Sequence, residues 1–143
     1  MHKKIMNDES NRKKLEQRYM QLQYLAEHMK ALQVQHQQLQ MQIKELEQTN
    51  EALSEFSNVK SGSEVLVPVA GGIFTKATLG EVSELIVNIG GKTAITKSIP
   101  DVQAMLTIQI QEIRAAEIEL TKQLETLGVQ AGAIEAELGE ANK

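Results

Sequence analysis

Along the first part of the chain, apolar residues recur at alternating steps of three and four. One series runs Leu15, Leu22, Met29, His36, Ile43, Asn50 and is taken as heptad position a. The other, at position d, is Leu25, Leu32, Leu39, Leu46, Leu53. Leucine at successive d positions, with no Pro or Gly between, predicts a coiled-coil helix, because a seven-residue repeat offers a partner one continuous apolar seam. Ser57-Asn58 and Ser61-Gly62-Ser63 signal its end. A second seam opens at Ser98-Ile99-Pro100-Asp101. There Ser98 can cap the first turn, Asp101 can answer it, and Pro100 needs no donor. It continues with Leu106, Ile113, Leu120, Leu127, Ile134 at d and Ile110, Glu117, Leu124, Ala131, Leu138 at a.

The two seams have matching lengths, which predicts that they pair as one antiparallel hairpin. Setting Leu53 beside Leu106 brings Leu46 to Ile113, Leu39 to Leu120, Leu32 to Leu127 and Leu25 to Ile134. The a positions then meet as Ile43 with Glu117, His36 with Leu124, Met29 with Ala131 and Leu22 with Leu138.

The segment between has a different period. Val65-Leu66-Val67-Pro68-Val69 leads through Gly71-Gly72 to Ile73-Phe74-Thr75-Lys76-Ala77, and Leu85-Ile86-Val87-Asn88-Ile89 through Gly90-Gly91 to a run that includes Ile95. β-Branched runs flanking Gly-Gly predict two consecutive β-hairpins, since such turns need residues that tolerate positive φ. Their shared plan suggests an internal repeat. Pro68 withholds a ladder donor, so the first strand is expected at an edge or a bulge. Isolated hairpins are marginal in water and expose strand edges, so partner subunits are expected to cover them. The assembly surface is expected at Val65, Val67, Val69, Ile73, Phe74, Leu85, Ile86, Val87, Ile89 and Ile95. The expected class is α+β, a long antiparallel coiled-coil hairpin with two β-hairpins inserted between its helices. Its parts are an N-terminal helix over 8–60, the double hairpin over 61–99 and a C-terminal helix over 100–142.

Composition supports seams over a globular core: in 143 residues the aromatics are Tyr19, Tyr24, Phe56 and Phe74, and there is no Trp. A formal net charge of −4 argues against nucleic-acid binding, which needs a cationic face. Arg12-Lys13-Lys14 with Arg18 is locally basic, but Glu9 and Glu16 interleave it, so it reads as a solvated helix start. Without cysteine there is no disulfide and no thiolate metal site. His2, His28 and His36 lack ligand spacing, so no metal is expected, and His36 and Glu117 read as polar seam positions. No phosphate-binding loop follows a strand, and neither cofactor nor catalytic residue is expected. No apolar run suits a signal peptide or a membrane span, so a cytoplasmic chain is expected.

Apolar residues off the seam carry the remaining signal. Met6, Met20, Val34 and Met41 fall at f and Tyr24 at c, with Ile108 and Val129 at f on the returning helix. Several such residues on one arm suggest a contact surface, and methionine adapts to irregular partners. Near the two chain termini, Ile5, Met6, Tyr19, Met20, Tyr24, Val129, Ile134 and Leu138 are expected to gather. Gly128, Gly132 and Gly139 there weaken the returning helix and should let it fray, exposing Ile134 and Leu138.

The block from Ser63 to Ala77 and the second hairpin, Ile86 to Ala94, resemble the alpha class of prefoldin subunits. The insert carries the likeness. Four strands match the alpha class, whose beta-class counterparts have a single hairpin. The resemblance implies a heterohexamer of two alpha and four beta subunits of archaeal type, with its rods hanging from a β platform. Such a molecule would hold unfolded or nascent proteins between the rod ends without ATP and pass them to a group II chaperonin. A structural coiled-coil tether is the alternative, and it predicts polar ends.

Overall fold

A computed structural model of the chain describes the backbone of residues 2–141 and the side chains of residues 8–141. The element order is α1 (His2–Phe56), β1 (Glu64–Ala70), β2 (Ile73–Thr78), β3 (Glu84–Gly90), β4 (Thr93–Ser98) and α2 (Ile99–Ala141). The chain divides into two compact units, one holding residues 2–41 and 114–141 and the other Gln42–Ile113. The boundary falls within both helices and leaves the two hairpins in the second unit.

In the first unit the seam residues Leu25, Ile134 and Leu138 form a buried cluster, with Leu15, Leu22, Leu127 and Ala131 packed against it. Full burial of each such side chain is worth about 1.5–3 kcal/mol. Leu32 and Leu120 are buried as well. Arg18 Nε pairs with Glu137 Oε2 at 3.0 Å, tying the two helices beside the cluster. Against the expected fraying, α2 is helical through Gly128, Gly132 and Gly139. Each glycine costs helix stability of roughly 1 kcal/mol, less than the cluster residues contribute.

The pairing of the helices corrects the one expected from the heptads. A Cβ added at Gly128 would stand 3.8 Å from Met29 Cε, so Met29 reaches the turn of α2 at Gly128, before Ala131. In the second unit Gln103 reaches the turn of α1 around Leu53, with hydrogen bonds to Asn50 and Ser54. Both displacements are close to one helical turn. The reason is geometric. Reversing one helix exchanges the leading and trailing positions of its heptad, so a layer started by a is completed by the partner's d. Matching a with a overlooks that exchange.

The second unit buries Ile43, Val82 and Ile99. Ser98 caps α2 as expected, its Oγ accepting from the Asp101 N–H at 3.2 Å. The helix starts at Ile99 with no loop after β4. The hairpins form two separate two-stranded antiparallel sheets, β1–β2 and β3–β4. They repeat one another. Glu64 pairs with Thr78 and Glu84 with Ser98, a shift of 20 residues at both partners, and each register breaks before the turn, between Pro68 and Ala70 and between Asn88 and Gly90. The proline expected at an edge or bulge therefore borders a bulge. The first hairpin is fastened at its base, where Gly62 N–H donates to Leu79 O at 2.7 Å and Leu79 N–H to Ser63 O at 2.8 Å.

Candidate functional site

Two kinds of exposed apolar surface stand out. The first lies in the unit holding residues 2–41 and 114–141. Heptad position f turns Met20 and Val129 away from the seam, and position c does the same for Tyr24. They are 70%, 73% and 67% exposed. Tyr24 meets His28 in a tilted ring contact at 6.2 Å between centroids. Tyr19 is also exposed, and it lines a groove of about 640 Å3 together with Leu22, Gln23, Ala26 and Met29 of α1 and Gly128, Ala131, Gly132 and Glu135 of α2. Glycine and alanine, with Glu135, supply the α2 wall, so little apolar side chain covers the seam on that side.

Ile134 and Leu138 are placed otherwise than expected. Each is only 5% exposed and belongs to the core cluster, since the continuous α2 keeps both in the seam. They hold the surface in place without being part of it. The side chains of Ile5 and Met6 lie outside the described residues. Leu22, Met29, Gly128 and Gly132 were not expected at a contact surface. The glycine spacing was visible in the sequence, but it reads as helix weakening until the partner helix shows what the missing side chains uncover. Ile118, 59% exposed, carried no such signal at position b.

The second surface is the pair of hairpins. Val67, Val69, Ile73, Phe74, Ile86 and Ile89 are exposed, while Val65, Leu85, Val87 and Ile95 are half-buried. Leu66, 66% exposed, belongs with them and was overlooked. Alternation puts Leu66 and Phe74 on one face of β1–β2, near an exposed Lys76–Glu64 ion pair of 3.5 Å. On β3–β4 the alternate residues Leu85, Val87 and Ile95 are half-buried, so this hairpin already covers much of one face within its own unit. Large exposed apolar residues on short two-stranded sheets are the signature of surface destined for a partner.

Nothing among the described residues resembles a reaction centre. His28 is exposed, His36 and Glu117 are half-buried, and no group of three or more His, Asp or Glu there could hold a metal ion. No helix of the described residues is long and apolar enough to cross a membrane.

Two long helices joined through a pair of antiparallel hairpins, with apolar surface exposed on both parts, define the class of architecture. The family model described as "Prefoldin subunit" matches residues 25–143. The prefoldin alpha subunit of Archaeoglobus fulgidus is 25% identical over 129 residues, 90% of this chain and 94% of that one. Among solved structures, filamentous PFD from Methanocaldococcus jannaschii superposes with a TM-score of 0.70 at 16% identity, covering 80% of this chain and 95% of the other. The prefoldin beta subunit from Thermococcus strain KS-1 does so with a TM-score of 0.60 at 16% identity, covering 90% and 91%. The chain belongs to the prefoldin family, in its alpha class, and membership carries the role of a chaperone subunit.

Proposed function

We propose that this chain serves in a heterohexamer of two alpha and four beta prefoldin subunits. The complex captures unfolded or nascent proteins without ATP in the cytoplasm and delivers them to a group II chaperonin. The observation that carries the reading is the exposure of Met20, Tyr24 and Val129 in the unit whose apolar groove runs between Met29 and Gly128. Polar ends would suit a tether; this surface suits a holdase. Each contact is weak, and several subunits acting together raise the effective affinity without a deep pocket. Holding of this kind requires only binding, and the sequence has no phosphate-binding loop. The hairpin residues from Val65 to Ile95 are the surface on which beta-class partners assemble.

The test is aggregation of a chemically denatured client followed by light scattering. The hexamer should suppress scattering equally with and without ATP. Replacing Met20, Tyr24 and Val129 with Ser should leave the hexamer intact by native mass spectrometry and weaken suppression about tenfold or more, since three apolar contacts are lost. An intact hexamer with undiminished suppression would move the client surface elsewhere, and an ATP requirement without chaperonin would refute simple holding.

A further inference from the structure

Sulfur is unevenly placed on the outward faces of the two helices. In the unit holding residues 2–41 and 114–141, the large apolar residues exposed on α1 are Tyr19, Met20, Tyr24, Val34 and Met41, while those on α2 are Ile118 and Val129. The chain has no cysteine, so methionine carries all of its sulfur. Of the methionines with described side chains, Met20 and Met41 are 70% and 63% exposed, whereas Met29 and Met105 are half-buried. Met29 sits in the seam, its Cε 3.8 Å from the place of a Cβ on Gly128. An oxidant in solution therefore meets Met20 and Met41 first.

The two exposed sulfurs differ in their surroundings. Met20 stands one turn before Tyr24, so the two are neighbours on the helix surface, and both belong to the client surface proposed above. Met41 lies about 30 Å further along α1 at the same heptad position, away from Tyr24 and from the groove beside Met29. At Met20 a thioether contributes by being apolar and by adapting to the shape of its partner. Oxidation makes the side chain polar and chiral. Its new oxygen costs free energy wherever a client buries it without a hydrogen-bond donor.

We infer that Met20 is a modification site, at which oxidation to the sulfoxide by a peroxide reversibly weakens the holding of unfolded clients. The thioether sulfur attacks one peroxide oxygen and the O–O bond breaks. The proton of the transferred hydroxyl passes to the departing hydroxide, leaving methionine sulfoxide and water. The inference rests on reading this unit as the client surface.

The chain is treated with hydrogen peroxide, freed of it and assembled with untreated beta-class partners. Peptide mass mapping follows which methionines gain oxygen, and light scattering of a denatured client follows holding. Suppression should fall about threefold as Met20 is converted, and treatment with methionine sulfoxide reductases of both stereospecificities should restore it. Met20→Gln, a polar side chain of similar length, should reproduce the loss without oxidant. Treated and untreated Met20→Leu should suppress equally, whatever the level before treatment, while Met41→Leu should respond to peroxide as the parent chain does. Unchanged suppression with Met20 converted overturns the proposal, and so does the same peroxide-induced loss in Met20→Leu. Protection by Met41→Leu in place of Met20→Leu overturns it too. An untreated hexamer that fails to suppress scattering would instead bring down the client reading itself, and the proposal with it.

Discussion

Neighbouring residues of one turn can answer the same substitution with opposite signs. Gly72 has φ +75°, while the backbone at Gly71 is not in the left-handed region, and neither has a heavy atom near the place of an added Cβ. Gly72→Ala should therefore cost about 1–2 kcal/mol from backbone strain alone. Gly71→Ala should be neutral or gain up to about 1 kcal/mol by restricting the unfolded chain. Urea denaturation of the two variants measures both. The second hairpin makes the comparison within one molecule, since the position equivalent to Gly72 is Lys92, at φ 65°. A lysine there accepts the strain that a glycine avoids. Asn88 Oδ1 supports this turn by accepting from the Gly90 N–H at 3.0 Å.

The elements of this chain differ in how far their apolar residues are buried within one subunit. Ile99, at the start of α2, is 5% exposed, and Ile86, on β3, is 81% exposed. Ile99→Ala should destabilise the free chain by about 2–4 kcal/mol. Ile86→Ala should change that stability by no more than about 0.5 kcal/mol yet weaken assembly with a beta-class partner. Denaturation read beside native mass spectrometry checks both at once, and a large loss of free-chain stability from Ile86→Ala would overturn the division. Much at this scale was legible in the sequence. The leucines from Leu25 to Leu53 announced a helix, and the Gly-Gly pairs announced two hairpins. The register was not legible, because a repeat of seven states which face is apolar without stating what it faces. Which layers meet is read from contacts between the helices, such as Gln103 on Ser54 and Arg18 on Glu137. The contact surface divided in the same way. Position f exposed Met20 and Val129 as expected, but the burial of Ile134 and Leu138 depends on an opposite helix that no local pattern describes.

Taken whole, the described part of the chain has no side chain less than 2% exposed and only eight buried hydrophobic residues. A subunit with so thin a core should depend on its partners for stability. Anything that binds the folded form alone raises the apparent stability by mass action, about 2.7 kcal/mol at a hundredfold excess over Kd. The thermal midpoint of this chain should accordingly climb with the concentration of a beta-class partner, followed by differential scanning fluorimetry. A midpoint indifferent to the partner would mean that the hairpin surfaces are not covered in the assembly. The fastening at the base of the first hairpin bears on the history of such subunits. Because Leu79 is hydrogen-bonded back to Gly62 and Ser63, β1 and β2 form a detour that returns the backbone to its point of departure. A detour of that kind can be copied or lost by an in-frame genetic event with little stretching of the path on either side. The 20-residue recurrence of pairing and bulge is what a single tandem duplication would leave behind, and it offers a short route between subunits bearing one hairpin and subunits bearing two.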